Sequence, residues 1–390
     1  MQEDEDQARP QEDDSGLERD SGEFPDIEVP FDPSKIDIQV KPMTIGSLRS
    51  RLENDELDLT PDFQRQANVW DPKRKSRLIE SVLLRIPLPS FYLSEDEAGV
   101  YAVVDGLQRL CTLFHFMDYE ELNRVTGAKL NPLRLKDLQY LKDLDGSSFS
   151  ELDRKFQRRI SELEITANII RASTPPAVKF NVFARLNQGG MPLNAQEIRN
   201  AIYPGTWRKK LQTLAKSSAF LKATEGKIKT QRQQDLELAL RFVALWQIGT
   251  PFSRQFNHTL DDFLNDAVEK TIRHWDDEQW SAATVAFDRA LNAAQAILGR
   301  HVFRKSVGYV DRTPINRGLF EAQLIALSAR SDSEISLLIA RKDNVTASLK
   351  QALRYGGMLA NALLYATGSA DASNTRIKEI TRIMDEVLCA

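Results

Sequence analysis

Hydrophobic and polar positions change period several times along the chain. Lys35 to Val40, KIDIQV, alternates and predicts a half-buried strand, and TIGSLRSRLENDEL then predicts a helix with Thr44 as its N-cap. PKRKSRLIESVLLRIPLP opens with Pro72 in a favourable first-turn position. Its apolar stripe, Leu78, Ile79, Val82, Leu83 and Ile86, predicts a helix that Pro87 and Pro89 stop. Ser90 to Ser94 predicts a strand, the charged EDEAG a hairpin turn, and Tyr101 to Val104 the partner strand. An Asp-Gly pair ends that strand and a segment of helical character runs to Met117, giving strand, tight turn and helix. LEITANIIR, from Leu163, alternates as a strand again. After Pro175 and Pro176, Val178, Val182, Phe183 and Leu186 form one helical stripe broken at Gly189 and Gly190. Asn194 then heads another helix, with Glu197 at the capping-box position.

Beyond about Thr206 the pattern is helical throughout. Leu238 to Trp246 is apolar almost all round, which suits a buried helix. Segments 259–274, 278–299, 315–330 and 343–366 follow, and Ile377, Ile380, Met384 and Val387 mark a last helix. The fold class expected is α+β: a first domain with a small mixed sheet over residues 35–204, then an all-helical bundle over residues 205–390. Residues 1–34 carry few apolar side chains and much charge, too little to bury against the entropy of ordering them. They are expected to be a disordered acidic tail.

Charge alters this picture in one respect. The 390 residues carry a net −4, but residues 1–28 hold twelve Asp or Glu against Arg9 and Arg19, a balance of −10, so the remainder is at +6. A mildly basic body is compatible with nucleic acid as a partner. The acidic tail reads either as a solubilising segment or as a mimic of nucleic-acid phosphates covering a basic cleft. Two cysteines, Cys111 and Cys389, make neither a disulfide framework nor a structural zinc site. No start resembling a signal peptide and no apolar run of the roughly 18 residues that a membrane span needs are present, so the expectation is a cytoplasmic protein with no membrane partner.

Candidate chemistry gathers at Tyr101 to Met117, YAVVDGLQRLCTLFHFM. Gly106 would let a phosphate approach the backbone where the first N–H groups of a helix point. Asp105 could hold a metal ion or orient water, Gln108 offers an amide, and the guanidinium of Arg109 could grip a phosphate. The plain alternative is a DG turn with an N-capping Asp and a surface Arg. PDFQRQANVW, from Pro61, mixes Phe63 and Trp70 with Arg65 in no clean period, as a loop presenting side chains would. Asn187, Gly189 and Gly190 either join two helices or line a cleft. HVFRKSVGYVDRTPINR, from His301, interleaves Arg304, Lys305, Arg312 and Arg317 with Phe303 and Tyr309, the composition of a DNA contact or of a basic surface loop. His115, His258, His274 and His301 stand apart from one another with no metal-ligand spacing.

Three blocks in this order resemble the N-terminal domain family of the GmrSD modification-dependent restriction enzymes, of ParB and sulfiredoxin type fold: Phe63, Arg65, Val69 and Trp70 followed by IPLPSFYL; VVDGLQRL; and VFARLNQGGMPLNAQEIRNA. They span roughly residues 60–203, and RQQDLELALRFVAL, FRK and NRGLFEA look like members with a helical second half. The resemblance implies a nucleotide-binding domain of a bacterial anti-phage system whose Asp-Gly-Gln-Gln-Arg motif binds and hydrolyses nucleoside triphosphates with Mg2+ or another divalent cation. On this chain Asp105, Gln108 and Arg109 match as catalytic residues, Asp105 as metal ligand, and Arg65, Gly106, Asn187, Gly189 and Gly190 as nucleotide contacts. Leu107 stands where the family has its first Gln, which bears on hydrolysis more than on binding. The same slot holds the Cys of sulfiredoxin's turn, so a sulfinic-acid reductase is rejected, and Cys111 is expected in the core. The His-Asn-His nuclease of larger members has no counterpart among the isolated histidines, which leaves two readings: an NTPase or NTP-gated component, or a non-catalytic DNA-binding or adaptor module that recruits a separate nuclease subunit.

Overall fold

The computed structural model describes residues 17–18, 35–59, 70–175, 178–180, 182–183, 194–230, 233–248, 259–307, 313–354, 356–365 and 367–390. They divide into two compact units. One comprises Val29–Pro204, the other Gly205–Ala390 together with Met1–Glu28, of which Leu17 and Glu18 are described.

The first unit is built on a five-stranded mixed sheet. Its strands are β1 (Ile38–Thr44), β2 (Leu57–Asp58), β3 (Phe91–Glu95), β4 (Tyr101–Asp105) and β5 (Glu164–Ile170), in the order β1-β5-β3-β4-β2. β3 and β4 form the antiparallel hairpin that EDEAG predicts, with Leu93 opposite Val103 and Glu95 opposite Tyr101, and a register shift between Tyr92 and Leu93. β3 runs parallel to β5, so the centre of the sheet joins one local hairpin pairing to one long-range pairing. Among the described residues β1 pairs only with β5, at the edge of the sheet, and only Met43 of its residues is buried. The half-buried strand expected there is corrected: Ile38 and Val40, the side chains whose alternation predicts a buried face, are exposed at 37% and 63%.

Helices pack on this sheet where local signals place them. α1 (Ile45–Glu53) starts at Thr44, whose side chain accepts the Ser47 N–H. α2 (Pro72–Leu83) has proline in its first turn and buries Ile79, Val82 and Leu83. α3 (Leu107–Met117) follows Gly106 directly and buries Leu110, Cys111, Leu113, Phe114 and Phe116. α4 (Tyr119–Thr126) and α5 (Arg154–Ser161) complete the wrapping, and α6 (Ala195–Ile202) opens on the expected Asn194–Glu197 capping box.

The second unit is helical: α7 (Trp207–Ala215), α8 (Ser218–Ala223), α9 (Gln234–Ile248), α10 (Leu260–Lys270), α11 (Asp277–Leu298), α12 (Arg317–Ser328), α13 (Asp332–Ala340), α14 (Lys342–Ala352), α15 (Met358–Ala362) and α16 (Ala370–Cys389). Phe220, Phe242, Phe287, Phe303 and Phe320 meet at its centre, with Phe303 and Phe320 ring centroids 4.7 Å apart. The single helix expected over 343–366 is two, α14 and α15, because the chain between them passes through Gly356 at φ +83°, a left-handed conformation that a right-handed helix cannot continue through. α13 falls in a gap of the sequence reading, although its capping box, Ser331 with Glu334, is a local signal that announces it.

Candidate functional site at the end of the fourth strand

The chain leaves β4 at Asp105, turns on Gly106 and enters α3 at once. Gly106 has φ +95°, a conformation that residues with a Cβ rarely adopt, and a Cβ built there would lie 2.3 Å from Cδ1 of Phe91. The space that a side chain would take is therefore filled by the Phe91 ring. Gly106 at the N-cap has no side chain to cap α3, and the first turn of the helix follows directly on a carboxylate that is 51% exposed.

Arg109 is placed differently from its expected role. It packs over the Phe91 ring, 4.4 Å from guanidinium carbon to centroid, and its side chain is only 14% exposed. One terminal nitrogen donates to the Pro89 carbonyl at 2.5 Å. The other donates to the Ser90 carbonyl at 3.2 Å and to Asp105 Oδ2 at 3.0 Å. Burial draws its pKa down and Asp105 opposes that shift. Both terminal nitrogens are thus committed within the protein. What Arg109 does here is tie the segment before β3 to the start of α3 and orient the Asp105 carboxylate.

These contacts join two of the sequence blocks. Pro89, Ser90 and Phe91 of IPLPSFYL pack on Gly106 and Arg109 of VVDGLQRL. Arg65, Asn187, Gly189 and Gly190 lie outside the described residues. Gln108, in the first turn of α3, is half-buried.

Sequence reading missed the polar groups that burial brings up around this frame. Lys75 of α2 is buried, with Nζ 3.4 Å from Nδ1 of His115, whose Nε2 is 2.8 Å from the Asn131 carbonyl. A proton on Nε2 donated to that carbonyl leaves Nδ1 to accept from Lys75. Burial lowers the pKa of Lys75 and of His115, while the Cys111 thiol, in the core as expected, is pushed up by burial despite the nearby ammonium. Lys179 is likewise buried and donates to the Glu95 carbonyl at 2.9 Å, with its pKa lowered by burial against Asp96 and Glu95. On α6, Gln196, Arg199 and Asn200 are buried and linked side chain to side chain. Their spacing of three and four residues in QEIRN was a visible cue to a polar stripe on one helix face. A cleft lined by Asp58, Ser94, Asp96, Val100, Ile202 and Pro204 opens at the hairpin end of β4, away from Gly106. Among the described residues no group of three acidic, His or Cys side chains could hold a metal, and no helix is long and apolar enough to cross a membrane.

The basic segment of the helical unit is corrected as an exposed contact surface. Arg304 is 3% exposed and donates to the Thr313 carbonyl at 2.7 Å. Lys305 is ion-paired to Glu18 at 2.6 Å. Arg317 donates to the Glu18 carbonyl at 2.9 Å and to the Gln234 side chain at 2.8 Å. These cations are drawn inward because each finds carbonyl or carboxylate partners there, and Arg312 lies outside the described residues.

Sheet, strand–glycine–helix turn and helical second unit together define an α+β protein with a glycine-led helix start and an acidic residue at the carboxyl end of an interior strand. Residues 45–204 match the family model described as GmrSD restriction endonuclease, N-terminal domain. No curated protein and no solved structure matches the chain.

Proposed function

We propose that the family segment binds the polyphosphate of a nucleoside triphosphate at the start of α3 and serves as the nucleotide-responsive component of a restriction system that acts on foreign DNA. The family's description as a restriction endonuclease domain supports the setting. The observation that carries the nucleotide reading is the start of α3 directly after Gly106, where the N-cap residue has no side chain of its own, within one residue of the half-exposed Asp105. First-turn N–H groups favour an anion. The Asp105 carboxylate beside them, held by Arg109 through Oδ2 yet half-exposed, would repel one. A divalent cation resolves that conflict, since Mg2+ is held through one or two carboxylates plus phosphate oxygens rather than by a full protein cage, which suits a single carboxylate whose other oxygen Arg109 does not engage. When bound, such a cation would neutralise phosphate charge.

Within this reading Arg109 is a positioning residue. It fixes the Asp105 carboxylate and the Pro89–Ser90 carbonyls, and so sets the mouth of the site without gripping phosphate. Gln108 belongs to the same first turn of α3 and is the amide that would polarise a γ-phosphate, with Asp105 to orient water. Leu107 offers no second amide. Binding is therefore expected to be robust and turnover slow.

Titration calorimetry of the full chain with each nucleoside triphosphate, with and without magnesium, tests this reading. The expected result is magnesium-dependent binding that Asp105→Asn abolishes while the melting temperature is retained. Binding that is indifferent to magnesium and to Asp105→Asn would overturn it.

A further inference from the structure

The acidic N-terminal segment contains one leucine in its first 28 residues, Leu17, and it is fully buried against the helical unit. Leu17 forms a parallel bridge with Ile315, and the Glu18 N–H donates to the Ile315 carbonyl at 2.8 Å. Ile315 is bridged on its own account to Arg304, so the tail adds one more extended segment to an existing pairing. The Glu18 carboxylate is shared between Lys305 Nζ at 2.6 Å and Asn316 Nδ2 at 3.0 Å, and its main-chain carbonyl accepts from Arg317 at 2.9 Å. Glu18 and Lys305 side chains are 12% and 16% exposed. The expectation of a wholly disordered tail is corrected for these two residues.

The receiving groups are held by the fold and not by the tail. Lys305 also donates to the Leu363 carbonyl at 3.2 Å, Arg317 to Gln234 at 2.8 Å, and the Asn316 side-chain oxygen caps α12 through the Leu319 N–H at 2.9 Å. Three features of one occupant are therefore recognised at once: an apolar side chain, the carboxylate of the next residue, and the backbone N–H and C=O between them. An extended peptide supplies all three. A nucleic-acid backbone supplies only negative charge.

We propose that Lys305, Ile315, Asn316 and Arg317 form a receptor for an extended acidic peptide carrying a Leu-Glu pair, which this chain's own tail fills in cis and which a partner protein's Leu-Glu segment takes in trans when the tail is displaced. The cis segment acts as a mask. A tethered ligand competes at an effective concentration on the order of millimolar, so a free peptide making the same contacts is excluded until the tail is weakened. The receptor is independent of the nucleotide site proposed above.

The experiment uses the full chain, unaltered and as the double variant Leu17→Asp/Glu18→Lys, with a fluorescent peptide of residues 11–22 read by anisotropy. The variant is expected to bind the peptide at least tenfold more tightly than the unaltered chain. Lys305→Ala added to the variant should return binding to the weak level, and a peptide with Asp in place of its leucine should not bind. A receptor loosened by loss of Leu17 is covered by a second measurement: the wild-type peptide should raise the melting temperature of the variant and the Asp-bearing peptide should not. Equal, weak binding by both chains with no thermal shift overturns the proposal. Displacement of the peptide by duplex DNA in a salt-dependent manner also overturns it, because the tail would then be a phosphate mimic.

Discussion

Two acid–arginine pairs set the units of this protein apart. In the α/β unit Asp105 and Arg109 meet at 3.0 Å across one helical turn, and the carboxylate stays 51% exposed. In the helical unit Glu321 and Arg376 are 0% and 1% exposed. Arg241 joins them at 3.2 Å and Ser373 donates at 2.9 Å. The Glu321 cluster is sealed: two guanidinium groups and a hydroxyl satisfy a carboxylate that water never reaches. The Asp105 pair is open, since Arg109 engages Oδ2 while the group still faces solvent. The same residue types thus serve cohesion in one place and reception in the other, and the number of fixed partners around the carboxylate decides which.

Breaking the sealed cluster should have the largest effect. Glu321→Ala leaves the buried Arg376 charge without its carboxylate, while Arg241 keeps Glu237 at 2.7 Å, and is expected to cost about 3–5 kcal/mol of stability, measured by chemical denaturation. A loss below about 1 kcal/mol would make the cluster dispensable and end the contrast. Gly106→Ala comes next. It meets the Phe91 ring at a positive φ and is expected to destabilise by about 2 kcal/mol, part of which Phe91→Leu should restore if the ring is the obstacle. Full loss of folding in both backgrounds would point to the backbone conformation alone.

Arg109→Lys sharpens the open side of the comparison. A lysine keeps the charge but cannot serve Pro89, Ser90 and Asp105 together, so a cost of about 1 kcal/mol is expected, with nucleotide binding weakened several-fold and its magnesium dependence retained. If Arg109→Lys removed binding altogether at unchanged stability, the arginine would be a phosphate ligand and not a positioning residue.

The smallest expected effect concerns Glu80 of α2. Burial by itself would raise its pKa, but N–H donors from Leu141, Gln139 and Tyr140, with Arg77, hold it below the ordinary carboxylate value. Its folded pKa lies below its unfolded pKa, so its contribution is present above about pH 4.3 and lost as pH falls through the lower folded value. Acid unfolding followed by circular dichroism should show a shallower pH dependence for Glu80→Gln than for the unaltered chain. Identical slopes would remove Glu80 from the acid response.

Much of the fold is legible in the order of residues, and the reason is locality. Thr44, Asn194 and the proline at the start of α2 announce helix starts within four residues of themselves. The turn from Tyr101 to Met117 follows from period and an Asp-Gly pair. β1 misled because alternation states which side chains share a face and not whether anything covers that face. Arg109 misled because its partners, Pro89 and Ser90, arrive from about twenty positions earlier in the chain, and no local pattern shows a guanidinium already occupied.

Sequence alone determined the fold class, the strand–glycine–helix turn, and the family model that residues 45–204 match, because each is written in neighbouring residues and short periods. Only the tertiary structure decided which charges stay available. Glu18 meets Lys305 across 287 positions, Arg304 is buried, and Asp105 remains at the surface. Exposure and partner number depend on what the rest of the chain folds against a residue, and side-chain type does not carry that information.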